Sequence, residues 1–306
     1  MSLIKKLVLG ALVIGSFPLA LFLYPVAIIN AIASVGNYQV KRDIAYAEGD
    51  RHSLDVYLPA KTDKPAPVVV FFYGGSWDQG DKEIYRFIGA ALATRGFVAV
   101  IPDYRLYPEV KFPGFLEDAA KAVGFAHSHA AEFGGDPHQV FLMGHSAGAH
   151  IAAMLTFDPQ WLAAVNLDPD HDIRALIGLA GPYDFLPLHS DTLKDIFGPP
   201  DRLAATQPIN FVKASAPPVF LGAAVEDSFV KPKNTKALAE RIVQKGGPEP
   251  IVKFYPHVNH LTLIGAFSLP LRWLAPVLYD VSVFINKMTD SPSPAERLTG
   301  FVREPA

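Results

Sequence analysis

The sequence predicts an α/β domain built on a mostly parallel sheet, and three observations carry that prediction. From position 41 onward, short β-branched runs alternate with helical patterns. The runs are apolar at nearly every position, as strands covered on both faces are, where half-exposed strands would alternate. One of them runs into a glycine-flanked serine and then straight into a helical pattern, a strand–turn–helix junction.

Taken in order, the stretches 44–47 and 53–57, separated by Glu48-Gly49-Asp50, predict an opening antiparallel hairpin. Strands are predicted at 68–73, 98–102, 140–144, 175–179, 219–223 and 252–255, and helices at 82–95, 115–132, 147–156 and 233–245. A last helix is predicted over 274–288, where Leu274, Val277, Leu278, Val281, Phe284 and Ile285 recur at helical spacing. Region 181–217 carries prolines at 182, 187, 199, 200, 208 and 217 without sustained periodicity, so a loop-rich excursion over the sheet is expected there, the natural place for a substrate wall.

Composition narrows the function classes. Among 306 residues, 27 Lys and Arg face 30 Asp and Glu, a net charge of -3 with no basic run, which excludes the electrostatic footprint of a nucleic-acid binder. Cysteine is absent, which removes disulfides, thiolate catalysis, iron–sulfur clusters and Cys-ligated zinc together. The charge is distributed unevenly: after Lys5 and Lys6 none appears until Lys41. As a helix, residues 7–29 would measure about 35 Å, enough for a hydrocarbon core of about 30 Å. An uncleaved anchor is therefore expected, with a cleaved signal peptide ending near Ala31-Ile32-Ala33, or a buried or surface-lying helix, as the alternatives. Lys5 and Lys6 favour a cytoplasmic N-terminus and an extracytoplasmic, periplasmic domain, although Lys41 and Arg42 on the far side weaken that bias; signal cleavage would give a secreted protein. The expected organisation is an anchor or signal over 1–35, a domain over 36–288 and a polar, disordered tail over 289–306. The oligomeric state is left open.

The residues that carry chemistry cluster at predicted strand ends. Gly144-His145-Ser146-Ala147-Gly148 is a Gly-x-Ser-x-Gly run between strand and helix, a turn that lifts a serine hydroxyl out at the top of a sheet. Its glycines leave room for backbone angles that neighbouring Cβ atoms would block. Upstream, Tyr73-Gly74-Gly75-Ser76-Trp77 closes another apolar strand, and the N–H groups of Gly74 and Gly75, with that of Ala147, are placed to meet a developing oxyanion. A serine nucleophile needs a base and an acid to orient it. Of the two histidines in His257-Val258-Asn259-His260, His260 is the expected base and His257 a structural residue; an HxxH metal pair lacks a nearby third ligand, so no metal is expected. Asp227, after the strand at 219–223, is the expected acid, with Glu226 and Asp184 as rivals. Trp77, Phe185, Leu186 and Phe229 are expected to wall a substrate pocket.

The combination of these motifs with Gly80-Asp81-Lys82, Asp103-Tyr104-Arg105 and Gly134-Gly135-Asp136-Pro137 resembles the α/β-hydrolase carboxylesterases of the hormone-sensitive-lipase-like branch. It is most similar there to bacterial esterases and prenylcysteine methylesterases, over residues 44–288. The resemblance implies an α/β-hydrolase fold, a serine hydrolase that cleaves carboxylic esters through an acyl-enzyme, and no cofactor. A formamidase-like amidase with the same triad, or a catalytically silent membrane-bound binding protein, are the other readings. The branch usually has His-Gly-Gly where this chain has Tyr73-Gly74-Gly75, so the support of the loop and the substrate range are expected to differ, and Tyr73 is counted with the pocket residues, its hydroxyl turned into the site. Asp103-Tyr104-Arg105 is expected to fix its loop through an internal ion pair. The apolar stretch 261–278, interrupted only by Arg272, raises the expectation that the mouth faces a bilayer and that the ester is lipid-like.

Overall fold

In the computed structural model, which describes residues 25–291, the strands are β1 (Tyr38–Ala45), β2 (Ser53–Pro59), β3 (Ala66–Phe72), β4 (Val98–Pro102), β5 (Gly135–His145), β6 (Ala175–Leu179), β7 (Val219–Ala224) and β8 (Ile251–Tyr255). They form one sheet in the order β1-β2-β4-β3-β5-β6-β7-β8. The β1–β2 and β2–β4 pairs are antiparallel and the other pairs are parallel. Strands β3, β4, β6 and β7 are buried at every position, which is why their sequences read as unbroken apolar runs.

Helices α1 (Pro25–Ala33), α2 (Arg86–Ala93), α3 (Gly114–Ser128), α4 (Ala147–Phe157), α5 (Asp191–Phe197), α6 (Lys233–Gln244), α7 (His260–Gly265) and α8 (Val277–Thr289) flank the sheet. Fully buried Phe71, Phe72, Phe141 and Phe220 lie in its core. Each contributes on the order of 2 kcal/mol through removal from water. Region 181–217 is loop-rich as expected, with α5 and the 3₁₀ turns Pro200–Thr206 and Pro208–Phe211 embedded in it.

Two elements differ from the expectation. Strand β1 starts at Tyr38 and includes the charged run Lys41-Arg42-Asp43, all exposed. It is an edge strand with a register shift between Lys41 and Ile44, where Asp43 takes φ +54° and its N–H donates to Asp55 Oδ1. Charge and a bulge on a sheet edge hinder pairing with another chain, and they also break the period-2 pattern.

The second difference is at the N-terminal side. Of the apolar segment 7–29, residues 7–24 lie outside the described residues, as does the tail 292–306. Among the described residues no helix is long and apolar enough to cross a membrane. Residues 25–33, counted with that segment in the sequence, form α1, which lies on α2 with Ile29 buried. Asn30 fixes it there: its Oδ1 accepts the N–H of Phe87 in the first turn of α2, and its Nδ2 donates to the Glu83 and Ile84 carbonyls. That turn has no cap from its own flanking residue, Tyr85, so a side chain 57 positions away supplies one.

Gly89 lets α2 sit on β2, since a Cβ there would lie 2.3 Å from the buried Tyr57 ring. Gly89→Ala is expected to cost about 1–3 kcal/mol by overpacking. Thermal unfolding of the variant reads this as a fall of several degrees, and an unchanged midpoint would contradict the packing described.

Candidate active site

Strand β5 hands over to α4 through Ser146, whose backbone takes φ +55°, ψ −125°. Such a conformation costs on the order of 1–3 kcal/mol in a non-glycine residue and persists only where the surroundings impose it. Here the Ser146 N–H donates to the Leu179 carbonyl of β6, and its own carbonyl accepts the Ala149 and His150 N–H groups of α4. A Cβ on Gly148 would lie 2.0 Å from the Phe72 carbonyl oxygen, and one on Gly144 would lie 2.2 Å from the Gly148 carbonyl. The two glycines of the motif are therefore close-approach residues, and the N-terminus of α4 presses on the end of β3.

His260 is the first residue of α7. Asn259 caps that helix: its Oδ1 accepts the Leu261 and Thr262 N–H groups, and Thr262 Oγ1 accepts the Asn259 N–H. The cap holds the His260 backbone, and the imidazole meets both expected partners. Nε2 lies 2.9 Å from Ser146 Oγ and Nδ1 lies 2.7 Å from Asp227 Oδ2. A neutral ring that donates from Nδ1 to the carboxylate leaves Nε2 free to accept the serine proton. Asp227 Oδ1 accepts the Phe229 and Val230 N–H groups, each at 2.9 Å. Burial works against its ionisation, but the hydrogen bonds from His260, Val230 and Phe229 prevail and hold the carboxyl below its usual range. The rivals fall away: Glu226 and Asp184 are exposed, and His257 is an exposed turn residue at φ +63°.

Gly74 lies against the serine, since a Cβ there would come 2.9 Å from Ser146 Cβ. Gly75 follows at φ +133°. Ala147, which directly follows the serine, opens α4 with an N–H that has no intrahelical acceptor.

Tyr73 is not a pocket residue. It is fully buried, stacked between Tyr85 and Tyr104 with centroids 5.4 and 4.7 Å away. Its hydroxyl donates to Asp103 Oδ1 at 2.7 Å and accepts from Arg51 at 2.9 Å, while Tyr104 donates to its carbonyl. Arg51 also bonds the Gly80 and Tyr104 carbonyls. The phenol thus binds the start of the Gly74-Gly75 loop to three other segments, and burial pushes its pKa far up, which keeps it a donor. The ion pair expected within Asp103-Tyr104-Arg105 is also redistributed: Arg105 makes a bidentate pair with buried Asp118, whereas Asp103 serves Tyr73 and the Lys82 N–H.

Trp77 and Phe185 stack at 5.8 Å, and both meet His150 edge-on. Trp77 is almost completely buried, Phe185 and Leu186 are half-buried, and Phe229 is exposed with its ring 5.6 Å from that of His260. The loop that carries Phe185 is held by Gln207 and Asn234, whose side-chain oxygens accept the Phe185 N–H and the Tyr183 and Asp184 N–H groups. Two buried histidines complete the site. His145 Nε2 lies 3.1 Å from the His260 carbonyl, and His150 Nε2 lies 2.8 Å from that of Thr206. Burial lowers the first to about 3, assisted by the nearby His260, and the second to about 4. Sequence reasoning left both unassigned, along with Arg51, Gln207 and Asn234. The only signal was the position of the two histidines beside the serine, at one residue before it and one helical turn after it.

Comparison with known proteins finds esterases and methylesterases among those similar to this chain. The family model BD-FAE matches residues 54–242. The isoprenylcysteine alpha-carbonyl methylesterase of Arabidopsis thaliana is 37% identical over 156 residues, covering 49% of this chain and 36% of that protein. Esterase LipC of Mycobacterium tuberculosis is 28% identical over 272 residues, covering 82% of this chain and 66% of that one. Among solved structures, a thermophilic esterase of Thermogutta terrifontis with butyrate bound superposes with a TM-score of 0.65 at 25% identity, covering 82% of this chain and 94% of that one. The alignments with the first plant relatives span 36 to 55% of their length.

Two predictions follow from the buried groups. His145 and His150 have depressed folded-state pKa values, so their stabilisation is complete above the unfolded value near 6.5 and is lost as pH falls toward 3 to 4. At pH 5 the expected loss is roughly 2 kcal/mol each. Denaturant unfolding at pH 7 and 5 measures it, His150→Gln is expected to halve it, and equal stability at the two pH values would refute it. Tyr73→Phe leaves Asp103 and Arg51 short of a partner and is expected to cost about 1–3 kcal/mol. If the loop places the oxyanion donors, the same variant lowers kcat on an ester with little change in KM.

Proposed function

The chain belongs to the BD-FAE family of α/β-hydrolase carboxylesterases, and on that premise we propose that it cleaves carboxylic esters with Ser146 as nucleophile. One observation carries the reading: His260 stands within hydrogen-bond distance of both Ser146 and Asp227, at 2.9 and 2.7 Å. His260 Nε2 takes the hydroxyl proton as Ser146 Oγ bonds to the ester carbonyl carbon. The oxyanion is met by the N–H groups of Gly74, Gly75 and Ala147. His260 then gives its proton to the departing alkoxide, the carbon–oxygen bond breaks, and the alcohol leaves. Water repeats the sequence on the acyl-enzyme and releases the carboxylic acid. Asp227 keeps the imidazole in the tautomer that both steps need. This chemistry draws on the chain's own residues throughout.

Half-buried Phe185 and exposed Phe229, whose ring lies 5.6 Å from that of His260, favour an apolar group on the acyl or alcohol side. The uncharged residues 7–24 that precede α1 support attachment to a bilayer with the catalytic domain outside the cytoplasm, and hence an ester that is itself membrane-soluble. The similarity to the isoprenylcysteine alpha-carbonyl methylesterase of Arabidopsis thaliana supports the same reading.

A fluorophosphonate probe is expected to label the protein and to leave Ser146→Ala unlabelled; equal labelling sinks the reading. Asp227→Asn, which disturbs the tautomer, is expected to lower kcat by about 10³–10⁴ on a p-nitrophenyl ester. Rates on an ester and its matching amide are expected to favour the ester by orders of magnitude, and parity would reassign the enzyme to amide hydrolysis.

A further inference from the structure

A groove of about 130 Å³ lies between α1, α2 and the 3₁₀ turn Leu269–Leu271. Apolar Ile32, Ala33, Phe87 and Leu269 line it together with the hydroxyl residues Thr94 and Ser268, and Arg272 is its single charged lining residue. The guanidinium donates to the Phe267 carbonyl at 3.1 Å, but its Nε is buried without a partner. No carboxylate lines the groove. Arg272 is half-buried, and the charge acting on it is that of Arg95, which is exposed and of like sign; burial first and Arg95 second lower its pKa. An unused buried donor in a mostly apolar slot without a carboxylate has the chemistry that receives an anionic oxygen attached to a hydrocarbon group.

The rim points to the same occupant. Trp273 and Leu269 are 80% and 65% exposed, and the indole N–H is spent on the Pro270 carbonyl. Tryptophan beside arginine is the side-chain pairing of a membrane–water interface. The groove wall α1 is also the first described helix, and the residues that lead into it, 7–24, carry no charge. At the other end, Gly265 closes α7 against Leu271, so the helix that begins with His260, followed by exposed Leu261, ends on the same turn.

We propose that this groove and its rim seat the catalytic domain on an anionic lipid bilayer, with a lipid phosphate on Arg272, in the field of Arg95, and its hydrocarbon against Ile32, Phe87 and Leu269. Docking there sets the mouth marked by His260 and Leu261 beside the lipid surface. The inference builds on the membrane attachment proposed above and is independent of the ester chemistry.

The test uses the full chain reconstituted in vesicles whose acyl chains are brominated, which quench nearby indoles. The Trp273 emission is the difference between the wild type and Trp273→Phe. In phosphatidylglycerol vesicles that emission is expected to fall at least twofold, and in phosphatidylcholine vesicles to change little. Arg95→Glu is expected to abolish the quenching while the protein still floats with the vesicles and still hydrolyses p-nitrophenyl acetate at the wild-type rate. Co-flotation without quenching overturns the docking face and spares the attachment; loss of flotation by the wild type overturns both. Equal quenching in the two lipids overturns the phosphate site. A dimer that Trp273→Asp dissociates, with no quenching, assigns the face to a second copy of the chain and overturns the proposal.

Discussion

The constraint on which the site depends is the contact between the start of α4 and the end of β3, where no methyl group fits at Gly148 against the Phe72 and Tyr73 carbonyls. That contact forces the chain to turn sharply at Ser146, and the turn in turn requires the positive φ that Ser146 adopts. The same approach brings Gly74, the next residue but one after β3, against the serine. Nucleophile and oxyanion loop are therefore not two positioned parts but the two sides of one close packing. Strain at a single residue is affordable because β6 and α4 both bond its backbone, which is how rarely populated geometry persists at reactive positions.

Behind that contact lies a layer of buried polar groups that have no role in bond-making. Tyr73, Asp103, Arg51 and Tyr104 bond one another and the backbone of the loop around Gly74 and Gly80. Burial raises the Asp103 pKa although Tyr73, the Lys82 N–H and Arg51 oppose the rise. A network of this sort rigidifies only when every member is satisfied, and the Tyr73 hydroxyl, which donates to Asp103 and accepts from Arg51, meets that condition. Below Ser146, His145 and His150 play the matching part from the other side, kept neutral by burial and spent on the His260 and Thr206 carbonyls.

The sequence was most legible where burial is complete. Strands β3, β4, β6 and β7 have no exposed position, so their apolar runs translate directly into strands. The serine turn was legible because its glycines are sterically required, and the choices of Asp227 over Glu226 and of His260 over His257 agree with the hydrogen-bonded array. Edge strand β1 was partly hidden because its outer positions answer to solvent and to negative selection against pairing. Tyr73 could be placed on the right loop but not turned the right way, since the direction of a side chain depends on Asp103, Arg51 and Tyr85, none adjacent in sequence. Nor could local pattern show that Asn30 would cap a helix from 57 positions away.

The seating of α1 has a consequence for the order in which the chain becomes structured during synthesis. The cap at Phe87 is available once the first third of the polypeptide has emerged, but the turn Leu269–Leu271 that closes the other side of α1 is among the last segments made. Throughout most of translation α1 therefore has one wall of its berth and lacks the second, and its apolar face stays open to chaperones or lipid. Completion of the carboxyl-terminal region is what finally withdraws that face, so a chain truncated before residue 269 would present it permanently.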